Sequence, residues 1–410
     1  MARGARARGL AAGVLVALAC HARADDGVRW QGHLDVRGVA PGGEVAWDDG
    51  GLGKARFGAG DDGTVLAGAV LSGSVQLSAD TLASATVQFV PAHERSLDVL
   101  DAWVRYRPVS TTPWRWSVRA GAFWAPVSLE NDGVGWTSLW TLTPSAINSW
   151  VGEELRTIGA EASLEHRGAR ADTTAFVALF GWNDPAGELL AARGWALGDA
   201  SSGLGAVLRE PDAYAPVAHA PVPMAYRPFR EIDGRPGWYA GVTRAAGSTR
   251  STLLYYDNRA ERDAWEPYRG HRAFAWDTRF LSAALRRHVG GDYVVAVQAM
   301  AGSTVFEPQP GLVLDTRFHA GYVLLARETG TWRPAVRVDL FGTRQLGPTD
   351  APLDEHGNAV ALALNWRPRG NVRLIGEVLR IDSTRAQRRL EGSPARQVDL
   401  QVQVAARLYF

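Results

Sequence analysis

The sequence predicts an all-β chain: a 16-stranded antiparallel transmembrane β-barrel behind an N-terminal signal peptide. Three observations predict it. Apolar and polar side chains alternate with a period of two along many segments. The connections between those segments alternate long and short. And an export signal opens a chain that otherwise lacks any long apolar run.

The export signal comes first. The chain begins MARGARARGLAAGVLVALACHARADD. Arg3, Arg6 and Arg8 form a positive n-region, Leu10 to Cys20 an apolar h-region, and Ala22-Arg23-Ala24 an A-x-A cleavage site before Asp25. The apolar run is shorter than the roughly 20 residues a membrane helix needs. Residues 1–24 are therefore expected to be removed, leaving 25–410 as the barrel. A lipoprotein reading through Cys20 is the alternative, but Ala17-Leu18-Ala19 lacks the leucine usual three residues before such a cysteine. Cys20 is the single cysteine, so the mature chain is expected to have neither disulfides nor thiolate chemistry. Cleavage also removes four arginines and takes the formal net charge from +1 to −3. That balance argues against nucleic-acid binding.

The strands follow. The chain ends QVDLQVQVAARLYF, with Val398, Leu400, Val402, Val404, Ala406, Leu408 and Phe410 on one face. Successive strand residues point to opposite faces, and a membrane strand needs about 9–11 residues to cross the hydrocarbon. This stretch is long enough, whereas strands of soluble sandwiches run about 5–6 residues. Similar alternation appears in VRWQGHLDVRG, WRWSVRAGAFW, LVLDTRFHAGYVLL, WRPAVRVDLF and VALALNWR. Sixteen strands are expected, starting near Val28, Gly68, Ala83, Ser96, Pro113, Glu153, Ala169, Arg235, Ser248, His271, Gly291, Gly311, Thr331, Asn358, Gly370 and Pro394. In LVLDTRFHAGYVLL the face carrying Asp315, Arg317 and His319 is expected to look inward. No stretch after the signal approaches a membrane helix, and only a closed barrel otherwise satisfies every backbone group in lipid.

The connections fix the topology. Long ones run Val39–Ala67, Pro126–Gly152, Asn183–Gly234, Arg259–Gly270, Gly342–Gly357 and Asp382–Ser393, with short turns between them near Asp80, Ser110, Gly168, Gly247, Gly290, Gly330 and Arg369; the connections near Ala92 and Phe306 fall in the long class by order but are short. Bacterial outer-membrane barrels place short turns on one side and long loops on the other. The last strand then closes against the first and leaves no free edge. The expected location is the bacterial outer membrane, reached across the inner membrane by the cleaved signal.

Sixteen strands leave room for an aqueous lumen. Segment 126–152 carries Trp136, Trp140 and Trp150 and is expected to fold into the barrel mouth as a constriction, an outer cap or subunit contact being the alternative. Segment 183–234 is expected as a long extracellular loop. The inward faces mix arginine (Arg37, Arg105, Arg115, Arg119, Arg317, Arg333, Arg337, Arg373, Arg407) with acid (Asp35, Asp101, Glu161, Asp277, Asp315, Asp339, Glu377, Asp399). The expected pore-lining set is Arg37, Arg105, Arg115, Arg119, Arg317, Arg337, Glu130 and Asp132. Within it, Arg105, Arg115 and Arg119 are expected to face Glu130 and Asp132 across the pore; charge pairing along the wall is the alternative. Rings of such charges set ion preference.

No catalytic, cofactor or metal motif appears. GGLGKA at Gly50 lacks the P-loop spacing and hydroxyl, and His93-Glu94 is not followed by a second zinc histidine. No G-x-S-x-G elbow occurs. No catalysis, cofactor or metal is therefore expected, with a barrel adhesin or a barrel hydrolase as the alternatives.

The stretches AWVRYRP, WRWSVRAGAFWAPVSLEND and LRTIGAE, with Gly121, Phe123, Pro126 and Glu130 in a Gly-x-Phe-x-x-Pro-x-x-x-Glu pattern, resemble the phosphate-selective porin O/P family over Ser96–Glu165. The resemblance implies a homotrimeric outer-membrane porin for small hydrophilic solutes or ions, phosphate among them. Outer-membrane lipid and lipopolysaccharide are the expected surroundings. Phosphate-selecting members carry ladders of Arg and Lys in the lumen. This chain departs from that pattern: Lys54 is its only lysine, and its inward arginines alternate with acids.

Overall fold

A computed structural model describes residues 27–215, 222–347 and 353–410. The expected signal peptide, 1–24, lies outside the described residues. Sixteen antiparallel strands form one closed barrel in sequence order. They are β1 (Val28–Ala40), β2 (Gly63–Gln76), β3 (Thr81–Phe89), β4 (Leu97–Tyr106), β5 (Trp114–Phe123), β6 (Thr157–Arg167), β7 (Asp172–Gly181) and β8 (Gly237–Ala246). The second half is β9 (Thr249–Asp257), β10 (Asp277–Val289), β11 (Tyr293–Gln309), β12 (Leu312–Arg327), β13 (Trp332–Leu346), β14 (Glu355–Arg369), β15 (Val372–Arg385) and β16 (Arg396–Tyr409).

The alternation reads out directly in β16. Val398, Leu400, Val402, Val404 and Leu408 are exposed on the outer face, while Gln401, Gln403, Ala405 and Arg407 are buried inward. β16 pairs with β1 (Leu34 opposite Leu408), and the Gly32 N–H donates to the Phe410 carbonyl at 2.9 Å. The seam therefore has no free edge. Outward apolar residues such as Val177, Leu179, Val323, Leu340, Leu362 and Val404 form a belt. At the short-turn rim Trp332 stacks on Trp366 (5.6 Å) and Tyr106 leans on Trp116 (5.5 Å), an aromatic girdle at interface height. No described helix is long and apolar enough to cross a membrane; the strands provide the crossing.

Two strand starts differ from expectation. Glu153 lies in a helix, α1 (Ala146–Glu154), and the strand begins at Thr157. His271 belongs to a small hairpin outside the barrel, Trp265–Tyr268 with His271–Phe274; β10 starts at Asp277, after the Trp276 N–H turns away to the Asp184 carbonyl. Gly121 carries a positive φ of 130° where β5 passes β4. A Cβ there would meet the Ala102 carbonyl oxygen at 2.3 Å, so the close strand contact requires glycine.

Candidate functional site: the loop-filled lumen

The connection between β5 and β6 turns inward and crosses to the far wall. Its backbone is caught there by inward side chains. Glu377 of β15 accepts from the Leu142 N–H (2.7 Å) and the Thr143 N–H (3.1 Å). Asp339 of β13 accepts from the Ala146 N–H at 3.1 Å. Gln298 of β11 donates to the Val127 carbonyl at 2.9 Å, and Asn365 of β14 donates to the Trp140 carbonyl at 2.8 Å. Exposed loops can leave such groups to water; here the wall supplies the partners that buried backbone needs.

Arg337 is the centre of this attachment. Its guanidinium donates to Glu130 (3.0 Å), to Asp339 (2.7 Å) and to the Thr143 and Pro144 carbonyls (2.6 and 3.0 Å). Glu130 also accepts from Asn148 at 2.8 Å and from the Ser145 N–H, and the Ser145 hydroxyl caps α1 through the Asn148 N–H. Arg337, Glu130 and Asp339 are all fully buried.

An aromatic wall receives α1. Phe176 and Phe180 of β7, Tyr239 of β8, Tyr256 of β9, Phe280 of β10, Phe318 of β12 and Phe341 of β13 share one cluster with Trp150. Trp150 meets Phe280 at 5.6 Å and Phe318 at 5.2 Å. Trp195, from the long connection after β7, packs edge-on to Trp150 at 5.9 Å and donates to the Gly342 carbonyl at 3.1 Å. This second loop carries the short helix α2 (Glu188–Arg193), also buried. Glu154 joins the two loops: it accepts from Trp150 Nε1, Tyr226 OH (both 2.5 Å) and the Leu189 N–H (3.0 Å). Burial raises its carboxyl, and these donors hold the raise in check.

Further ion pairs hold the loops to the wall. Asp199 reaches Arg37 of β1 and lies 3.0 Å from Arg56; Arg37 and Arg407 also hold Asp35 at 2.7 and 2.6 Å. Lys54, in the connection after β1, lies 2.5 Å from Glu355 and donates to the Arg193 carbonyl. Burial outweighs Glu355 and pushes the Lys54 ammonium down to about 7.

The expected pore-lining residues thus divide. Arg37 and Arg337 are buried tethers, and Glu130 is a tether with them. Asp132 faces Arg286 at 2.5 Å. Neither acid faces Arg105, Arg115 or Arg119, because the loop crosses to the opposite wall before presenting them. Arg317 points outward, 66% exposed, beside Asp315 at 3.6 Å. The expected face of β12 is inverted: Phe318, Ala320, Tyr322 and Leu324 are buried inward, and Val323 and Leu325 face outward. Both faces of this strand are largely apolar, and the inward one meets α1 rather than water.

One half-exposed stretch of the interior is the wall of β4–β6. Arg105, Arg115, Ser117, Arg119, Glu161 and Ser163 line it. Arg119 donates to Glu161 at 3.0 Å, and Ser117 and Ser163 pair at 2.8 Å. Arg105 stands directly opposite Arg119 in register, and Arg115 opposite Glu165, whose carboxylate is held by Arg167 at 2.9 Å. Among the described residues, neither Arg105 nor Arg115 makes an ion pair.

The sequence reading gave no role to Gln298, Asn365 or Asn148, although it placed Asn365 on the polar face of its strand. Each is an uncharged amide; the available signal was a lone amide on an otherwise apolar inward face, as in Val294, Ala296, Gln298 and Met300. One carboxylate group could gather round a cation, Asp184 with Glu231 and Asp233. Its oxygens already accept backbone N–H groups from Ile232, Trp182 and Arg235.

A closed 16-stranded barrel with short turns at one rim, long loops at the other and a loop folded inward has the architecture of outer-membrane porins. No protein-family model matches the chain, and no curated protein matches it. Among solved structures it is similar to the outer membrane channel DcaP of Acinetobacter baumannii, with TM-score 0.56 and 11% identity over 93% of this chain and 97% of that one. It is also similar to Salmonella typhi OmpF in a complex with daunomycin, with TM-score 0.52 and 12% identity over 94% and 99%. A loop L8 deletion mutant of OmpT, an outer membrane protein of Vibrio cholerae, gives TM-score 0.52 and 10% identity over 93% and 99%. At these identities the likeness is one of fold.

Proposed function

We propose that this chain is an outer-membrane porin, a channel for passive diffusion of small hydrophilic solutes, with no cofactor and no catalytic step. The observation that carries the reading is the half-exposed charged wall of β4–β6, left open beside a loop pinned to the opposite side. Arg105 and Arg115 have no acidic partner among the described residues; arginine is a strongly basic side chain, and unpaired arginines on a pore wall favour anions. That is as far as the phosphate-selective resemblance is supported: the other inward arginines are largely tied up.

Lipopolysaccharide fits the outer surface. Arg317 and Arg344 stand opposite each other on the outward face, both exposed. Like charges so placed repel, and a lipid phosphate between them would offset that. A homotrimer is the assembly the family resemblance implies.

The test is single-channel recording of purified protein in a planar bilayer under a salt gradient. Stepwise ohmic currents, in threes for a trimer, and a reversal potential of anion sign are expected. A correctly folded barrel that passes no current overturns the channel reading in favour of an adhesin or hydrolase barrel.

A further inference from the structure

Between the connections after β1, β3 and β7, at the loop rim, lies a cavity of about 600 Å³. That is the size of a small-molecule site. Its walls include Trp47, Phe57, Leu66 and Leu208. We infer that this cavity is a capture site for organic cations, solutes that carry an ammonium group on a compact apolar body.

The charges decide the sign. The arginines that reach the cavity are already paired: Arg269 with Glu94, Arg209 with Asp212 and Arg56 with Asp199. Glu153 is held by Arg193, which also stacks 4.0 Å over Trp47. His93 is pushed down to about 4 by burial and by Arg56, so it adds no positive charge near neutrality. Asp48, Asp49 and Asp61 remain, and Asp61 accepts the Gly58 N–H at 2.8 Å. Asp48 and Asp49 are exposed to the cavity, adjacent in sequence, and without a side-chain partner among the described residues. Desolvation by the surrounding cavity walls and the neighbouring Asp49 push the Asp48 carboxyl up to about 6, while Arg56 and Arg193 pull the other way.

The chemistry of the walls selects the class of cation. The carboxylates of Asp48, Asp49 and Asp61 do not converge on one point, as the ligands of a calcium ion, 6–8 in number, must. The surrounding indole, phenyl and leucine surfaces would bury an apolar body. A bound ammonium would lie between that apolar surface and the aspartates, in a site where charges are screened less than in open water. As the first station of the conduction path the site rests on the porin reading; as a binding site it does not.

The experiment is calorimetric titration of the full-length folded barrel in detergent with benzyltrimethylammonium chloride, with phenylacetate as the body of opposite charge. The cation is expected to bind, phenylacetate not, and Asp48→Asn/Asp49→Asn to weaken the cation at least tenfold. Both substitutions lie in a rim loop, and the heat-dependent gel shift of the barrel checks folding. Equal affinity for the two probes, or for wild type and the double variant, overturns the proposal. Binding without ion current would leave the capture site standing while the channel reading fell. Current without binding would do the reverse.

Discussion

The guanidinium of Arg337 lies 3.0 Å from the carboxylate of Glu130, and neither side chain reaches solvent. One comes from the wall, the other from the loop that crosses to it. The pair is a clamp, and it converts a surface connection into part of the barrel interior. Replacing Arg337 by alanine strands Glu130 and Asp339 as buried unpaired charges, at a cost of about 3–5 kcal/mol. Arg337→Ala should lower the unfolding temperature of the barrel in a heat-dependent gel shift and open 126–152 to protease. Arg317→Ala, on the exposed outer face, should change stability by less than about 0.5 kcal/mol. Equal effects of the two would remove the clamp.

Trp195 is the aromatic anchor of the second loop, wedged against Trp150 and 6.0 Å from Phe318. Trp195→Ala leaves a cavity costing about 3–5 kcal/mol. The loop should detach before the barrel unfolds, so single-channel conductance is expected to rise while the barrel's gel shift stays. An unchanged conductance would show that this loop does not restrict the path.

The same loop should respond to pH. Glu188 and Glu210 are buried close together and face Glu154, Tyr214 and Tyr226, with Trp276 beside Glu188; burial raises both carboxyls, and Glu154 raises them further. Below about 4.5, the ordinary glutamate value, the pair is protonated whether the loop is seated or free. Above it, the free loop gives up protons that the seated loop retains, so seating weakens as pH rises through the raised values. Hydrogen exchange across Glu188–Glu210, corrected for intrinsic rate, should be faster at pH 8 than at pH 5. Glu210→Gln should flatten the difference; a slope that survives the substitution assigns it to other groups.

Arg105 and Arg115 should set the ion preference of the open wall. In Arg105→Ala/Arg115→Ala the remaining pair, Arg119 with Glu161, is neutral, so the reversal potential under a salt gradient should move toward cations. An unmoved potential would place both arginines off the path.

The strand count, the two-residue alternation in β16, the alternating connections and the seam at Phe410 were all legible in the sequence. Each is local: a period, a turn, a terminal aromatic. The three tryptophans of 126–152 marked a segment that packs somewhere, and the sequence left open whether in the barrel mouth or as an outer cap. What the sequence could not decide was which face of a strand meets water. In β12 the residues Phe318 and Tyr322 and the residues Val323 and Leu325 are both apolar sets, and only packing chose between them. Lipid takes one face, while the loops have made the lumen partly apolar, so hydrophobicity no longer marks the outside. The partners of Arg37, Arg337 and Glu130 were equally hidden. The pairs Arg37–Asp199 and Arg337–Glu130 join residues far apart in the chain, and only closure of the barrel brings the loops within hydrogen-bonding distance of the wall.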